Sequence, residues 1–199
     1  MKIYFTRHGQ TEWNVAGKLQ GWKNSNLTTK GIESAKKLSQ RLKDVDFHLI
    51  YSSSQARAVE TAELIRGDKD TDIIILDDLR EIGFGSWEGM KIDDIKDRYS
   101  TEYDTYLNKP HLYKPIEGET LEDIYNRVES ALEEILSNDV ENVLLVSHGV
   151  TLKVLTSIIK DIPIHELSKI PIQRGTALNI LEYDGEKLRF LVEEDTSHI

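Results

Sequence analysis

Val143-Leu144-Leu145-Val146-Ser147-His148-Gly149 decides the fold. Four apolar residues run together with no polar alternation, which is what a strand covered on both faces by helices requires. A polar Ser147-His148-Gly149 step follows, and Val150 to Ile159 then reads as a helix. The N-terminus repeats the design in Ile3-Tyr4-Phe5-Thr6-Arg7-His8-Gly9. In open α/β sheets, ligands bind outside the carboxyl ends of strands, where the loops converge. Two histidines at two such ends are placed to meet over one pocket. A lone histidine after a strand is more often a surface or core residue. Two copies beside glycine, one of them also beside arginine, favour function.

Working outward, Lys2 to Thr6, Phe47 to Ser52 and Ile73 to Leu76 read as further strands. A loop is expected from Gly9 through Asn26. Thr28-Thr29-Lys30-Gly31 opens a helix to about Lys43 with Ile32, Ala35, Leu38 and Leu42 on one face. Gln55 to Arg66 is a helix ended by Gly67. Asp93 to Leu107 is weakly amphipathic and stops before Pro110. Glu119 to Leu136 is strongly so, with Thr120 and Asp123 as a capping box and Leu121, Ile124, Val128, Leu132 and Ile135 as its buried stripe. Ala177 to Tyr183 and Leu188 to Glu193 flank Asp184-Gly185, a type I′ hairpin signal. The alternation predicts a three-layer α/β/α sandwich, its sheet mostly parallel with an antiparallel C-terminal hairpin.

Bulk properties narrow the function. With 199 residues, 39% hydrophobic and 30% charged, the chain suits one α/β domain over 1–199. There is no cysteine, which removes disulfides, thiolate metal sites and cysteine nucleophiles. No stretch approaches the ~20 apolar residues of a membrane span, and no secretory leader pattern precedes Arg7, so a cytoplasmic location is expected, with no membrane partner. The net charge of -10 and the lack of a Lys/Arg cluster argue against nucleic acid. The same negative field repels small anions at long range. Any anion bound here must be held by a local cationic pocket.

Specific arginines answer that need. Arg57, in Ser53-Ser54-Gln55-Ala56-Arg57-Ala58, falls in the first turn of a helix, where the dipole disfavours a cation. Such placement points to an anion nearby, although a solvated or salt-bridged arginine fits the segment equally well. In Leu79-Arg80-Glu81-Ile82-Gly83-Phe84-Gly85-Ser86-Trp87-Glu88-Gly89, three glycines among aromatics mark a tight loop packed against something. Glu81 and Glu88 are both candidate acids there.

Together these segments resemble the histidine phosphatase superfamily, the phosphoglycerate mutase-like fold. The shared pattern is Arg7-His8-Gly9, the Arg57-Ala58 step after the second strand, Glu81 before Trp87-Glu88-Gly89, and Ser147-His148-Gly149. The similarity runs along essentially the whole chain, through Pro110-His111-Leu112-Tyr113 to Ser197-His198-Ile199, and is nearest to the short bacterial broad-specificity phosphatases. It implies a metal-independent phosphomonoesterase without cofactor, acting on a small-molecule phosphate monoester. His8 is then the nucleophile, and Arg7, Arg57 and His148 clamp the phosphoryl oxygens as cations. Asn14, Gln20 and the Gly149 amide add donors at the phosphate, the last at a helix start. Glu81 is the general acid and base, with a raised pKa as a partly buried carboxyl.

Departures from the family pattern are few: Asn24-Ser25-Asn26-Leu27-Thr28 in place of an Asp and a Pro, Gln55 where an apolar residue is common, and Gly118-Glu119-Thr120 for the commoner Gly-Glu-Ser. The superfamily also contains phosphoglycerate mutases, whose chain is longer between the acidic loop and the late long helix. Here residues 91–118 form a compact lid insertion with Tyr99, Tyr103, Tyr106, His111 and Tyr113, at least two of them expected simply to pack. Such an aromatic, weakly basic lid suits varied leaving groups and favours hydrolysis. A non-catalytic phospholigand-binding module is a further alternative, disfavoured because nucleophile and acid are both present. Physiological substrate and oligomeric state, monomer or homodimer, stay open; an exposed hairpin edge permits pairing.

Overall fold

The computed structural model describes residues 1–199. It places six strands in one sheet: β1 (Lys2–Arg7), β2 (Leu49–Ser53), β3 (Ile73–Leu76), β4 (Asn142–Ser147), β5 (Leu178–Tyr183) and β6 (Leu188–Asp195). Their order is β3-β2-β4-β1-β5-β6, so β4 is central, as its apolar run requires. Leu145 faces Phe5 on one side and Tyr51 on the other, in parallel register. β5 pairs antiparallel with β1, and β6 antiparallel with β5.

The helices are α1 (Glu12–Val15), α2 (Thr29–Arg41), α3 (Ala56–Arg66), α4 (Ile92–Arg98), α5 (Ser100–Asn108), α6 (Leu121–Leu136) and α7 (Gly149–Ile159). Because strand side chains alternate, Leu144 and Val146 of β4 enter one core with Leu38 and Leu42 from the α2 segment and Ala58, Ala62 and Ile65 of α3. Val143 and Leu145 enter the other with Ile124, Val128 and Ile135 of α6 and Leu152 and Leu155 of α7. The two cores on opposite faces make the three layers. Thr120 and Asp123 form the capping box: the Thr120 N–H donates to Asp123 at 2.8 Å, and the Asp123 N–H donates to the Thr120 hydroxyl at 3.2 Å. No helix is long and apolar enough to cross a membrane.

Four local expectations are corrected. The segment from Gly9 to Asn26 contains a helical turn, α1, because Thr11 and Asn14 cap one another across it. Asp93 to Leu107 is two helices broken at Tyr99, whose φ of -130° and ψ of 43° are not helical. The break residue Tyr99 and the α5 residues Tyr103 and Tyr106 gather on Trp87 at 6.0 to 6.2 Å, with Tyr113 at 5.4 Å, centroid to centroid. The hairpin loop is not type I′. Tyr183 pairs with Leu188, leaving Asp184–Lys187 as loop, and only Gly185 has positive φ. The Asp184 carboxylate shapes the turn by accepting from the Glu186 and Lys187 N–H groups. The α2 stripe holds for Ala35, Leu38 and Leu42, whereas Ile32 is only half-buried and Gly31 and Ser34 fill the interface instead.

Leu144→Ala and Leu145→Ala remove side chains from opposite cores, and each is expected to destabilise the protein by roughly 2–5 kcal/mol in urea unfolding. Thr120→Ala should cost about 1 kcal/mol, through loss of the cap alone.

Candidate active site

β1 and β4 run parallel and adjacent, so their carboxyl ends bring His8 and His148 together. Their rings lie 5.1 Å apart, centroid to centroid, tilted by 56°. Both are almost wholly buried. The His8 Nδ1 lies 2.7 Å from the Gly9 carbonyl oxygen, an acceptor only, so Nδ1 carries the proton. Nε2 is thereby left with its lone pair, and the Arg57 Nε–H donates to it at 3.3 Å. At His148 the Ser53 hydroxyl, which accepts the Gln55 N–H at 3.2 Å, stands 2.8 Å from Nε2 and can either donate to it or accept from it, and Nδ1 has no protein partner.

Burial is the largest cause of lowered basicity at both rings. Arg7 and Arg57 add to it at His8, and Arg57, His8, Arg7 and Arg127 add to it at His148, so both titrate well below the ordinary histidine range. His8 is therefore neutral at neutral pH. The expectation that His148 acts as a cation is corrected: burial first, and the arginines second, keep the ring neutral.

Arg57 belongs to the first turn of α3, as expected, and is 1% exposed. Its guanidinium threads back to an earlier loop, donating to the Gly21 carbonyl at 2.9 Å, the Lys23 carbonyl at 2.8 Å and Asn24 Oδ1 at 3.3 Å. Burial lowers its pKa to about 10, with Glu81 opposing the shift. Arg7 donates to the Gln173 carbonyl at 3.0 Å, and its Nε has no protein partner. Burial lowers its pKa too, again opposed by Glu81.

Glu81 is 8% exposed and sits at the start of α7. Its carboxylate accepts from the Val150 N–H at 3.1 Å, the Thr151 N–H at 3.3 Å and its neighbour Ile82 N–H at 3.1 Å. The carboxyl is buried, as expected, and is tied down by these donors. It also takes up part of the helix N-terminus that had been read as free for a ligand. A Cβ at Gly149 would press on the Ile172 side chain at 3.0 Å and make ordinary contact, 3.5 Å, with the Arg7 guanidinium carbon and a Glu81 oxygen. Glu88 is no acid of the site. It clamps loops by accepting from the Trp22, Lys23 and Phe84 N–H groups.

A cavity of about 230 Å³ joins Arg7, His8, Asn14, Gln20, Arg57, Glu81 and Gly149. Asn14 Oδ1 is taken by the Thr11 N–H and Gln20 Oε1 by the Ser25 hydroxyl, which leaves the amide nitrogens as the ends open to a ligand. The rest of the wall is largely apolar, with Leu19, Phe84, Ile92, Tyr106, Val150 and Ile172. A larger groove of about 970 Å³ also reaches Arg7, His8 and Asn14, but Arg57 and Glu81 line only the smaller cavity. The chemistry belongs there.

Sequence reasoning missed Ser53, Gln55, Asn24 and Gln173. Each acts through a neighbour brought close by the fold, and no local pattern marks it. The one signal at hand was that Asn24 and Gln55 depart from the family pattern.

A model of the histidine phosphatase superfamily, branch 1, matches residues 3–196. Phosphoserine phosphatase 1 of Hydrogenobacter thermophilus is 33% identical over 156 residues, 78% of this chain and 74% of that one. An Escherichia coli protein named "Probable phosphoglycerate mutase GpmB" is 34% identical over 164 residues, 82% of this chain and 76% of that one. Among solved structures, YhfR of Bacillus stearothermophilus superposes with a TM-score of 0.95 at 41% identity, covering 99% of this chain and 98% of that one.

In nitrogen-detected NMR of the imidazoles, His8 is expected as the Nδ1–H tautomer, and both His8 and His148 should take up a proton only below the usual pH of about 6.5. Protonation of either ring at or above that value would contradict the electrostatics of the site.

Proposed function

The chain belongs to the histidine phosphatase superfamily, branch 1, and we propose that it is a phosphatase hydrolysing small organic phosphate monoesters through a phosphohistidine on His8. One observation carries the proposal: the nucleophilic nitrogen is fixed by its tautomer and shares one small cavity with two arginines and a buried carboxyl. The His8 Nε2 lone pair attacks phosphorus, and the bond from phosphorus to the ester oxygen breaks. Glu81 gives its proton to the departing alkoxide, so the alcohol leaves neutral. Glu81 then takes a proton from water, whose oxygen attacks phosphorus and releases His8 and inorganic phosphate.

Arg7 and Arg57 supply the positive charge that a metal ion supplies in other phosphoryl transfers. With its proton on Nδ1, His148 adds a neutral donor, as do the amides of Asn14 and Gln20. On this reading the enzyme is metal-independent. The Gly149 N–H, at the start of α7, joins the donors.

Residues 1–199 are read as one histidine phosphatase domain, with 91–118 as its lid. Ile92 and Tyr106 of that insertion line the cavity, which supports the assignment. Tyr99, Tyr103 and Tyr113 are packing groups on Trp87. The apolar wall suits an organic alcohol, and the cavity's size suits a small molecule. The relative named as a mutase supplies a second reading, in which the phosphoryl group returns to substrate before water arrives. The predominance of apolar over cationic side chains on the leaving-group wall favours hydrolysis.

The enzyme should hydrolyse p-nitrophenyl phosphate, with the rate unchanged by chelator and suppressed by vanadate. Acid-labile, base-stable phosphate should be trapped on the wild type and absent from His8→Ala, which should be inactive. Protonation of the His8 nucleophile on acidification should lower kcat/KM only below pH 6.5, because the His8 pKa is shifted down. Glu81→Gln should slow alkyl esters far more than the aryl ester, whose leaving group needs no acid. Interconversion of phosphoglycerates faster than their hydrolysis would establish the mutase instead.

A further inference from the structure

Gln55, the N-cap residue of α3, is buried, and its amide makes two hydrogen bonds in opposite directions. Its Nε2 donates to the Gly21 carbonyl at 2.6 Å, and its Oε1 accepts the Glu81 N–H at 2.8 Å. The same Gly21 carbonyl accepts from Arg57 Nη2 at 2.9 Å. One side chain therefore joins the backbone of the acid to the oxygen that orients the guanidinium. The Glu81 carbonyl has separate supports, since Trp22 Nε1–H and Arg127 Nη2–H donate to it at 3.0 and 3.1 Å. The Glu81 N–H rests on Gln55.

We infer that Gln55 is a positioning residue which holds the Glu81 acid in register with the Arg57 clamp. The inference rests on the phosphatase reading given above. A buried N–H left without its acceptor must find another. The Glu81 peptide would then turn, and the carboxyl would move away from the ester oxygen it must protonate. Small displacements of that kind have large effects on rate. An apolar residue at position 55, as is common in the family pattern, makes neither bond.

The test compares glycerol phosphate, whose alkoxide needs a proton, with p-nitrophenyl phosphate, whose leaving group does not. Gln55→Met keeps the length of the side chain and removes both bonds. It should lower kcat on glycerol phosphate about tenfold and on the aryl ester less than threefold, with little change in either KM. Placed on Glu81→Gln, the same change should cost less than twofold further, because the group it positions no longer carries the proton. Equal losses on the two esters, or fully additive losses in the double variant, would reduce Gln55 to a structural role and overturn the inference. Gln55→Asn, which retains the amide on a shorter arm, should fall between wild type and Gln55→Met on glycerol phosphate if the bonds matter, and no better than Gln55→Met if they do not. A wild type that turns over neither ester would overturn the phosphatase reading, and the present inference with it.

Discussion

A guanidinium with 1% of its surface exposed must find an oxygen or a lone pair for its N–H groups, or the fold loses more than it gains. Arg57 finds them in the carbonyls of Gly21 and Lys23, in Asn24 and in the ring of His8. That single requirement shapes the site. It pulls the loop between α1 and α2 over the end of β2, brings the α3 N-terminus against His8, and leaves the guanidinium out of any ion pair, with Glu81 and Glu88 acting on it only through space. Charge neutralised by carbonyl dipoles remains available to an anion in a way that an ion pair does not.

Burial, with the same charge added to it, explains the neutral histidines. Two arginines buried beside two imidazoles make a third or fourth positive charge expensive, so both rings stay unprotonated. A protein with a net charge of -10 thus keeps a locally positive hollow beside neutral imidazoles. Long-range repulsion of anions and short-range capture coexist because the positive groups lie at the bottom of a small cavity.

Much of this was legible in the chain. The apolar run Val143 to Val146 announces a central strand, since nothing else buries four successive side chains on two faces. Two polar-His-Gly steps after strands locate the site, and Arg57 in a helical first turn signals that something overrides the dipole. What escaped notice depends on distance along the chain. Gln55 meets Gly21 and Glu81, and Arg7 meets Gln173, across separations that no local pattern encodes. Glu81 and Glu88 looked alike as loop carboxylates. Only their partners, the α7 N-terminus for one and three loop amides for the other, tell them apart. The hairpin misreading has the same root: Asp184-Gly185 fits a two-residue turn, and the strand register that makes the loop four residues is a long-range property.

Trp87 lies on the same short loop as Glu81, and the four tyrosines of the insertion gather on its ring. The aromatic part of the cavity wall and the chain that carries Glu81 are therefore joined through Trp87. Gly85 makes the join tight, for a methyl group there would come within 2.0 Å of the Ile116 carbonyl oxygen. A replacement among those rings is therefore felt in two places at once: at the cavity wall, where Tyr106 stands, and along the short loop that carries both Trp87 and Glu81.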